Sequence, residues 1–451
     1  MLNKLTKSYW FKSGSLTLLN RISITLFGLL NFFFLIRILS PNDFGIWVIF
    51  LSITGLSESI RNAFIYNPLL RYLNSEDEEN HKHIISASLS LNLLAAFIIS
   101  VVFVTLAYTV NYFFEAPALK EMLLVSIISV FGFTLFAHFT FLQQANLRFG
   151  GTVISTFFQK LVLMVFILYA FISGYEPSLF ELALYFSIGY VLSSFLAYWF
   201  ARRESTFTFG FDKAWISRLF HYGKYTLGTN ISTMLNKNTK EWFLGGMIGP
   251  ASVAVFSPAV KITNLFEIPL AAIASVFYPE MINRVRKEGM PAAKYLYERS
   301  VAIIMVAILP CVVIIFILAK PIVLIIAGPK YPEAVPVLQV MVLYGIFEPF
   351  QRQFGVTLNA IGKAHINFYF IIVSSAVGIL ITWLSIKYYG IMGAAYGTIL
   401  TYGLGAAFIQ YILYRQIDVK TLNIFKFSIQ VIQQGWHTVV KTIRNKSLKN
   451  G

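Results

Sequence analysis

The chain has 451 residues, 57% of them hydrophobic and 12% charged, and its formal net charge is +16. Soluble proteins average about 25% charged residues, so this composition excludes a set of water-soluble globular domains, and its wealth of Phe, Ile, Leu and Val excludes intrinsic disorder. A basic excess of this kind fits nucleic acid, anionic lipid or an anionic substrate, and the positions of the charges decide among them.

Crossing a bilayer takes about 20 apolar residues, and runs of that kind predict an all-α integral membrane protein with about 12 transmembrane helices. Delimited by Pro, Gly and charge, the runs of the first half lie at 13–38, 44–70, 84–113, 118–146, 151–173 and 178–201. Those of the second half lie at 219–247, 251–280, 292–319, 333–361, 365–388 and 391–414. Lys4, Lys7 and Lys12 precede the first run as in a signal peptide, but Arg21 interrupts it and no small-x-small site closes it, so this span is expected to stay in the protein. The stretch 75–83 reads as an acidic connector. The run 219–247 is the least apolar, with Asn236, Lys237, Asn238, Lys240 and Glu241 inside it. Without it the chain would have eleven spans and termini on opposite sides.

Charge bias tests the count. With both termini cytoplasmic, 24 of the Lys and Arg fall in cytoplasmic segments, and only Arg37, Lys120, Lys320, Lys330 and Lys387 fall outside. The positive-inside rule therefore favours twelve spans with both ends inside. The expected organisation is an N-terminal lobe at 1–203, a cytoplasmic linker at 204–218, a C-terminal lobe at 219–415 and a basic tail at 416–451. In that tail Leu422, Phe425, Ile429, Ile432, Trp436, Val439, Val440 and Ile443 recur at helical spacing among lysines and Arg444, the pattern of an amphipathic helix lying on an anionic leaflet. The alternative is a partly disordered basic tail.

The two halves are related. Residues 53–58 and 262–267 share I-T-x-L-x-E, and at the same offset Pro41 meets Pro250. Six spans in each half with the same starting side make the repeat parallel, with an axis along the membrane normal.

Chemistry in the membrane is limited to charge. Cys311 is the single cysteine, so it forms no internal disulfide, and its apolar run marks it as a packing residue. The six histidines are scattered, and no Walker, Rossmann, GxSxG or HExxH pattern occurs; no metal site, cofactor or covalent chemistry is expected. An ionisable group within a span costs roughly 2.5–3.5 kcal/mol and so faces a cavity or a partner. The cations there are Arg21, Arg61, Lys160, Lys237, Lys240, Lys261 and Arg352, against Glu58, Glu241, Glu267 and Glu348. Glu58 and Arg61 at i,i+3, and Lys237 with Glu241 and Glu348 with Arg352 at i,i+4, are spaced to neutralise one another. Arg21 and Lys261 have no acid on their own helix face, and Lys160 either snorkels to the interface or meets substrate. A central cavity carrying Arg21, Arg61, Lys261, Arg352 and Lys240 would attract a diphosphate through bidentate guanidinium contacts and repel a cationic drug. Glu58, Glu267 and Glu348, with His138, are the candidate charge partners or ion-coupling groups.

The first interspan connection, Arg37-Ile38-Leu39-Ser40-Pro41-Asn42-Asp43-Phe44-Gly45-Ile46-Trp47, resembles the R-x-L-x-P-x-x-F/Y-G-x-W/Y signature of polysaccharide flippases. Their superfamily is the multidrug/oligosaccharidyl-lipid/polysaccharide exporters, and the Wzx-type and PST-type members are the nearest in pattern. Weaker echoes are 249–256, 142–149 and 255–259. The resemblance covers the chain to about residue 415. It implies two six-helix lobes around a central cavity and no enzymatic activity. It also implies movement of polyprenyl-diphosphate-linked oligosaccharide, an O-antigen, capsule or exopolysaccharide unit, from the cytoplasmic to the outer leaflet of a bacterial inner membrane. Partners would be that lipid-linked glycan, anionic lipids and the polymerase or ligase machinery, with no nucleic acid. Lipid II flippases of the superfamily carry cavity arginines in spans one, two and eight, where Arg21, Arg61 and Lys261 stand here. The competing readings are a lipid II-type flippase, a multidrug/cation antiporter, which would need an acid where span one has Arg21, and a glycan polymerase, which would need a longer external loop.

Overall fold

The computed structural model describes residues 2–114, 116–202 and 210–447, and these residues are helical with no β-strand. In chain order the first helices are α1 (Leu2–Ile38), α2 (Pro41–Arg61), α3 (Asn67–Ser75), α4 (Glu78–Thr109), α5 (Asn111–Phe114) and α6 (Pro117–Val125). They are followed by α7 (Ile127–Ala145), α8 (Phe149–Ser173), α9 (Leu179–Ala201), α10 (Lys213–Met247), α11 (Pro250–Thr263) and α12 (Glu267–Glu288). The remainder are α13 (Met290–Ile317), α14 (Ala319–Ala327), α15 (Ala334–Val342), α16 (Glu348–Ala360), α17 (Ala364–Ile417) and α18 (Thr421–Ser447).

Among the described residues, ten helical stretches are long and apolar enough to cross a membrane. One of them, α17, holds 54 residues and breaks at Gly390, whose φ of 58° is left-handed, the conformation that glycine adopts without a Cβ clash. It is therefore two spans. The polar α10 is not among these stretches; counting it as a span, as the charge bias of the sequence requires, gives about twelve. Local chemistry sets the boundaries. Ser40 caps α2 by accepting the amide of Asp43, with Pro41 in the first helical position. Ser178 and Glu181 form a capping box on α9, and Asp212 accepts the amides of Ala214 and Trp215 at the start of α10. Each cap satisfies amides that have no carbonyl one turn earlier.

The chain divides into two compact units, Met1–Ala254 and Val255–Gly451. Within the first unit α10 packs on α2: Trp242 Nε1 donates to Ser52 Oγ at 2.7 Å and Asn238 Nδ2 to the Ser52 carbonyl at 3.4 Å. Residues 204–209 of the expected 204–218 linker lie outside the described residues. In the second unit Tyr297 and Val301 of α13, Phe354 and Leu358 of α16, Ile409 and Leu413 of α17 and Ile424 of α18 form one buried cluster. Large apolar side chains stand outward on the spans, Phe97 and Ile98 on α4 and Ile172 on α8 among them, the complement of a lipid surround rather than of water. Cys311, expected as packing, is exposed on α13: the run Ile303 to Ala319 is apolar all round, so apolarity did not tell its buried face from its outward one.

Candidate functional site

In the first unit the intramembrane charges build one polar cluster. Arg61 closes α2 and is 2% exposed. Its Nη1 donates to the Val130 carbonyl at 2.8 Å and to Thr134 Oγ1 at 3.0 Å, both on α7, and its guanidinium carbon stands 4.2 Å from the centroid of Phe133. Asn92 of α4 donates to the Thr134 carbonyl at 3.2 Å, tying a third helix to the same turn. Immediately after Arg61 the chain widens to a π-turn over Asn62–Tyr66, and the Asn62 amide is shared between the carbonyls of Glu58 and Ser59. Such turns interrupt the regular i→i−4 ladder and re-aim the side chains beside them.

The expected i,i+3 ion pair of Glu58 with Arg61 is not the contact that forms. Glu58 accepts the Tyr190 hydroxyl of α9 at 2.7 Å, while Arg61 reaches across to α7. The cause is helix packing: α7 and α9 supply better-placed partners than the same helix offers one turn away. Glu58 still acts electrostatically on Arg61, and also on Lys160 of α8. Tyr190 itself sits in an aromatic enclosure of Phe133, Phe136 and Phe186, with ring centroids 5.3–5.9 Å apart. Tyr190, Thr134 and Asn92 were missed from the sequence, because nothing local marks one Tyr among 24. Lys160, left open between interface and substrate, lies in the field of Glu58.

Arg21 stands apart. It is exposed on α1, two turns inside the stretch Ser15–Ile38, and among the described residues its side chain shares no hydrogen bond or ion pair with the Arg61 cluster. Thr25 Oγ1 donates to its carbonyl at 2.9 Å. Lys240 is half-buried on α10 in the fields of Glu241 and Lys237.

The second unit holds the other candidates. Arg352 is exposed on α16, and among the described residues it forms no ion pair with Glu348, its expected i,i+4 partner. Glu348 and the exposed Glu267 instead act on the hydroxyls of Tyr344 and Tyr402, whose rings lie 4.7 Å apart. Tyr344 donates to the Thr263 carbonyl at 3.4 Å, at the 3-10 turn that breaks the eighth span. Lys261 is half-buried and interacts with a neighbouring group, so it is not the lone charge its helix face implied. Among the described residues no group of three His, Cys, Asp or Glu is placed to hold a metal ion.

The first connection is built for packing. Arg37 donates to the Phe33 carbonyl at 2.7 Å and lies 3.6 Å over the Phe33 ring. Phe44 and Trp47 are buried, and Trp47 stacks on Phe50. Gly45 lies against Pro250, so closely that a Cβ there would run into the Pro250 carbonyl. The connection 37–47 and the stretch 249–256, distant in sequence, thus meet through a glycine that only a bare Cα fits.

The sequence model of the family described as polysaccharide biosynthesis protein matches residues 34–336. The chain belongs to this family. The polysaccharide biosynthesis family's matched region begins just before the first connection and takes in the Arg61 cluster, Lys261 and Glu267, whereas Arg21, Tyr344, Glu348, Arg352 and Tyr402 lie outside it. A membrane protein of Methanocaldococcus jannaschii is 23% identical over 92% of this chain and 86% of its own length. The amylovoran biosynthesis protein AmsL of Erwinia amylovora is 22% identical over 64% of this chain and 74% of its own length. The probable low-salt glycan biosynthesis flippase Agl15 of Haloferax volcanii is 21% identical over 50% and 46%. Among solved structures, the lipid II flippase MurJ in an inward closed conformation superposes with a TM-score of 0.77, at 13% identity, over 94% of this chain and 92% of its own. An inward-facing MATE family transporter of the MOP superfamily gives 0.75 at 15% identity, over 87% and 94%. The fold is that of these transporters, and the protein is a multi-pass membrane member of the polysaccharide biosynthesis family.

Proposed function

We propose that this protein is a flippase for polyprenyl-diphosphate-linked oligosaccharide, carrying an O-antigen, capsule or exopolysaccharide repeat unit from the cytoplasmic to the outer leaflet by alternating access. The diphosphate is drawn to cations on membrane-spanning helices, the polyprenyl tail stays in lipid, and each conformation must bind the head group with a different affinity for the cycle to be driven. Both termini are cytoplasmic in this reading, as the charge bias requires. The membrane is a bacterial inner membrane, and the polymerase or ligase machinery takes the product.

The observation that carries the reading is Arg21: an exposed guanidinium inside a membrane helix, bound to no described partner. A permanent charge in such a place is costly unless a cavity or ligand meets it, and guanidinium matches diphosphate in bidentate fashion. Lys240, Lys261 and Arg352 add positive charge, whereas Arg61, already committed to α7, serves as the structural cation of the first unit. The same arginine weighs against a multidrug/cation antiporter. A lipid II-type flippase would share the head-group chemistry and differ in the sugars.

The test is binding of polyprenyl diphosphate, polyprenyl monophosphate and neutral polyprenol to the purified protein in detergent. Wild type should prefer the diphosphate. Arg21→Ala should weaken that binding about 10–100-fold, the worth of hydrogen bonds to a charged group, with Arg21→Lys in between. Equal diphosphate affinity in wild type and Arg21→Ala would overturn the assignment.

A further inference from the structure

The C-terminal helix α18 has two apolar faces. One is buried: Ile424 is fully enclosed, Phe427 packs beside it, and both join the cluster formed by α13, α16 and α17. The start of the helix is fixed by Glu298 of α13, itself 2% exposed, whose carboxylate accepts the Lys420 amide at 2.8 Å and Asn423 Nδ2 at 3.1 Å. Lys294 of the same helix donates to Asp418 at 2.7 Å, where the chain turns with a φ of 56° from α17 into α18. The helix is therefore clamped to the second unit at the end of the last span, and the chain turns as it enters it.

A second face is apolar and uncovered. Leu422, Phe425, Ile429 and Ile432 are 72%, 52%, 57% and 57% exposed. At about 100° per residue these four fall within one quarter of the helix circumference, and Trp436, Val440 and Ile443 continue the same spacing in the sequence. Lys426, which is exposed, borders the apolar stripe on one side, and Lys441 and Arg444 follow it in the sequence at multiples of helical spacing. No Asp or Glu follows Asp418, whereas six Lys and Arg do. The helix has 27 residues, about 40 Å at 1.5 Å each, yet it is too polar to count among the spans. A helix of this kind lies along an interface, its apolar stripe below the head groups and its lysines reaching to them.

We propose that the exposed face of α18 is a docking surface for the anionic phospholipid bilayer, lying in the head-group boundary while its buried face holds the second unit. The charge decides the occupant: a stripe bordered by Lys426, on a tail rich in cations and free of acids, is complementary to an anionic leaflet. The inference does not depend on what the protein transports.

The experiment uses the full chain with Cys311→Ser and single substitutions Phe425→Cys, Ile429→Cys, Ile432→Cys and Gln430→Cys, each spin-labelled. The protein is placed in nanodiscs of phosphatidylcholine with and without phosphatidylglycerol, and collision with oxygen and with a nickel chelate is compared. With phosphatidylglycerol, positions 425, 429 and 432 should favour oxygen, as lipid-immersed sites do, while 430 favours the chelate. Lys426→Gln should lower the inserted fraction about fivefold in anionic nanodiscs, the worth of one cation near such a surface, and leave neutral ones unchanged. Chelate access at 425, 429 and 432 equal to that at 430 would overturn the proposal. So would insertion independent of phosphatidylglycerol. Spectral broadening removed by diluting with unlabelled protein would assign the face to a second copy and overturn it as well.

Discussion

Glu298→Ala isolates the clamp between α13 and α18. The wild-type carboxylate is buried and accepts two hydrogen bonds, from the Lys420 amide and from Asn423. Bonds to a charged group are worth about 1.5–3 kcal/mol each, so the gross loss is about 3–6 kcal/mol. Relief from burying a carboxylate offsets part of it, since desolvation of an ion in a protein interior costs several kcal/mol. The net loss falls to about 2–3 kcal/mol, close to that of a strong helix cap. At 1.4 kcal/mol per tenfold, local opening of α18 should rise about 30–100-fold. The apolar contacts of Ile424 remain, so the helix loosens without the second unit unfolding. Hydrogen exchange of residues 421–434 in nanodiscs reads the opening directly, and tryptic cleavage at Lys426 gives an independent measure. Glu298→Gln, which keeps a neutral acceptor, should lie between. Exchange in Glu298→Ala within about twofold of wild type would refute the reasoning, because the carboxylate would then contribute nothing net.

Four further outcomes follow from the same geometry. Gly45→Ala places a methyl group against the Pro250 carbonyl, an overpacking cost of about 1–3 kcal/mol, and should lower the thermal midpoint of the detergent-solubilised protein, whereas Gly55→Ala, with open space around it, should not. Tyr190→Phe removes the hydrogen bond that the Tyr190 hydroxyl donates to Glu58 and should destabilise by about 1–3 kcal/mol; in the double variant with Glu58→Gln the losses should be less than additive, as a thermal-shift cycle would read. Hydrogen bonding from Lys294 holds the Asp418 carboxyl below its ordinary value, so its support of α18 is complete above about pH 4 and is lost as pH falls through that lowered value. Exchange of α18 should therefore be flat from pH 7 to 5 after correction for intrinsic rates and rise below 4, and Asp418→Asn should make the rise smaller. Asp212 is lowered in the same sense by the amides of Trp215 and Ala214 and by His83, so hydrogen exchange at the start of α10, corrected for intrinsic rates, should also be constant from about pH 5 to 4 and increase only below it.

Much of the architecture was legible because lipid imposes it. Every backbone amide in a bilayer must bond within its own helix, so apolar length alone located the spans, and only the polar α10 needed the charge bias to be counted. The break at Gly390 was legible as Gly between two apolar runs. Partnership across helices was not legible. Spacing along one helix pairs Glu58 with Arg61, yet Tyr190 is 132 residues away from Glu58 and Val130 is 69 from Arg61, and one-dimensional periodicity carries no signal for such contacts. The same holds for Gly45 and Pro250, where the signature reads as a motif but its reason is a close backbone approach. The amphipathic tail was legible as a helix, and its second, buried face emerged only with Glu298 and Ile424 in place.

The central claim is translocation of a lipid-linked anionic glycan, and reconstituted transport tests it most directly. Purified protein is placed in liposomes carrying a polyprenyl-diphosphate oligosaccharide in both leaflets, and the fraction of glycan reachable by an external glycosidase is followed over time. Wild type should bring the inner-leaflet glycan within reach, Arg21→Ala should leave it protected while inserting normally, and a polyprenol-linked glycan without the diphosphate should stay protected in both. Equal exposure with Arg21→Ala and wild type, or protection of the diphosphate-linked glycan by wild type under every ion gradient applied, would contradict the account.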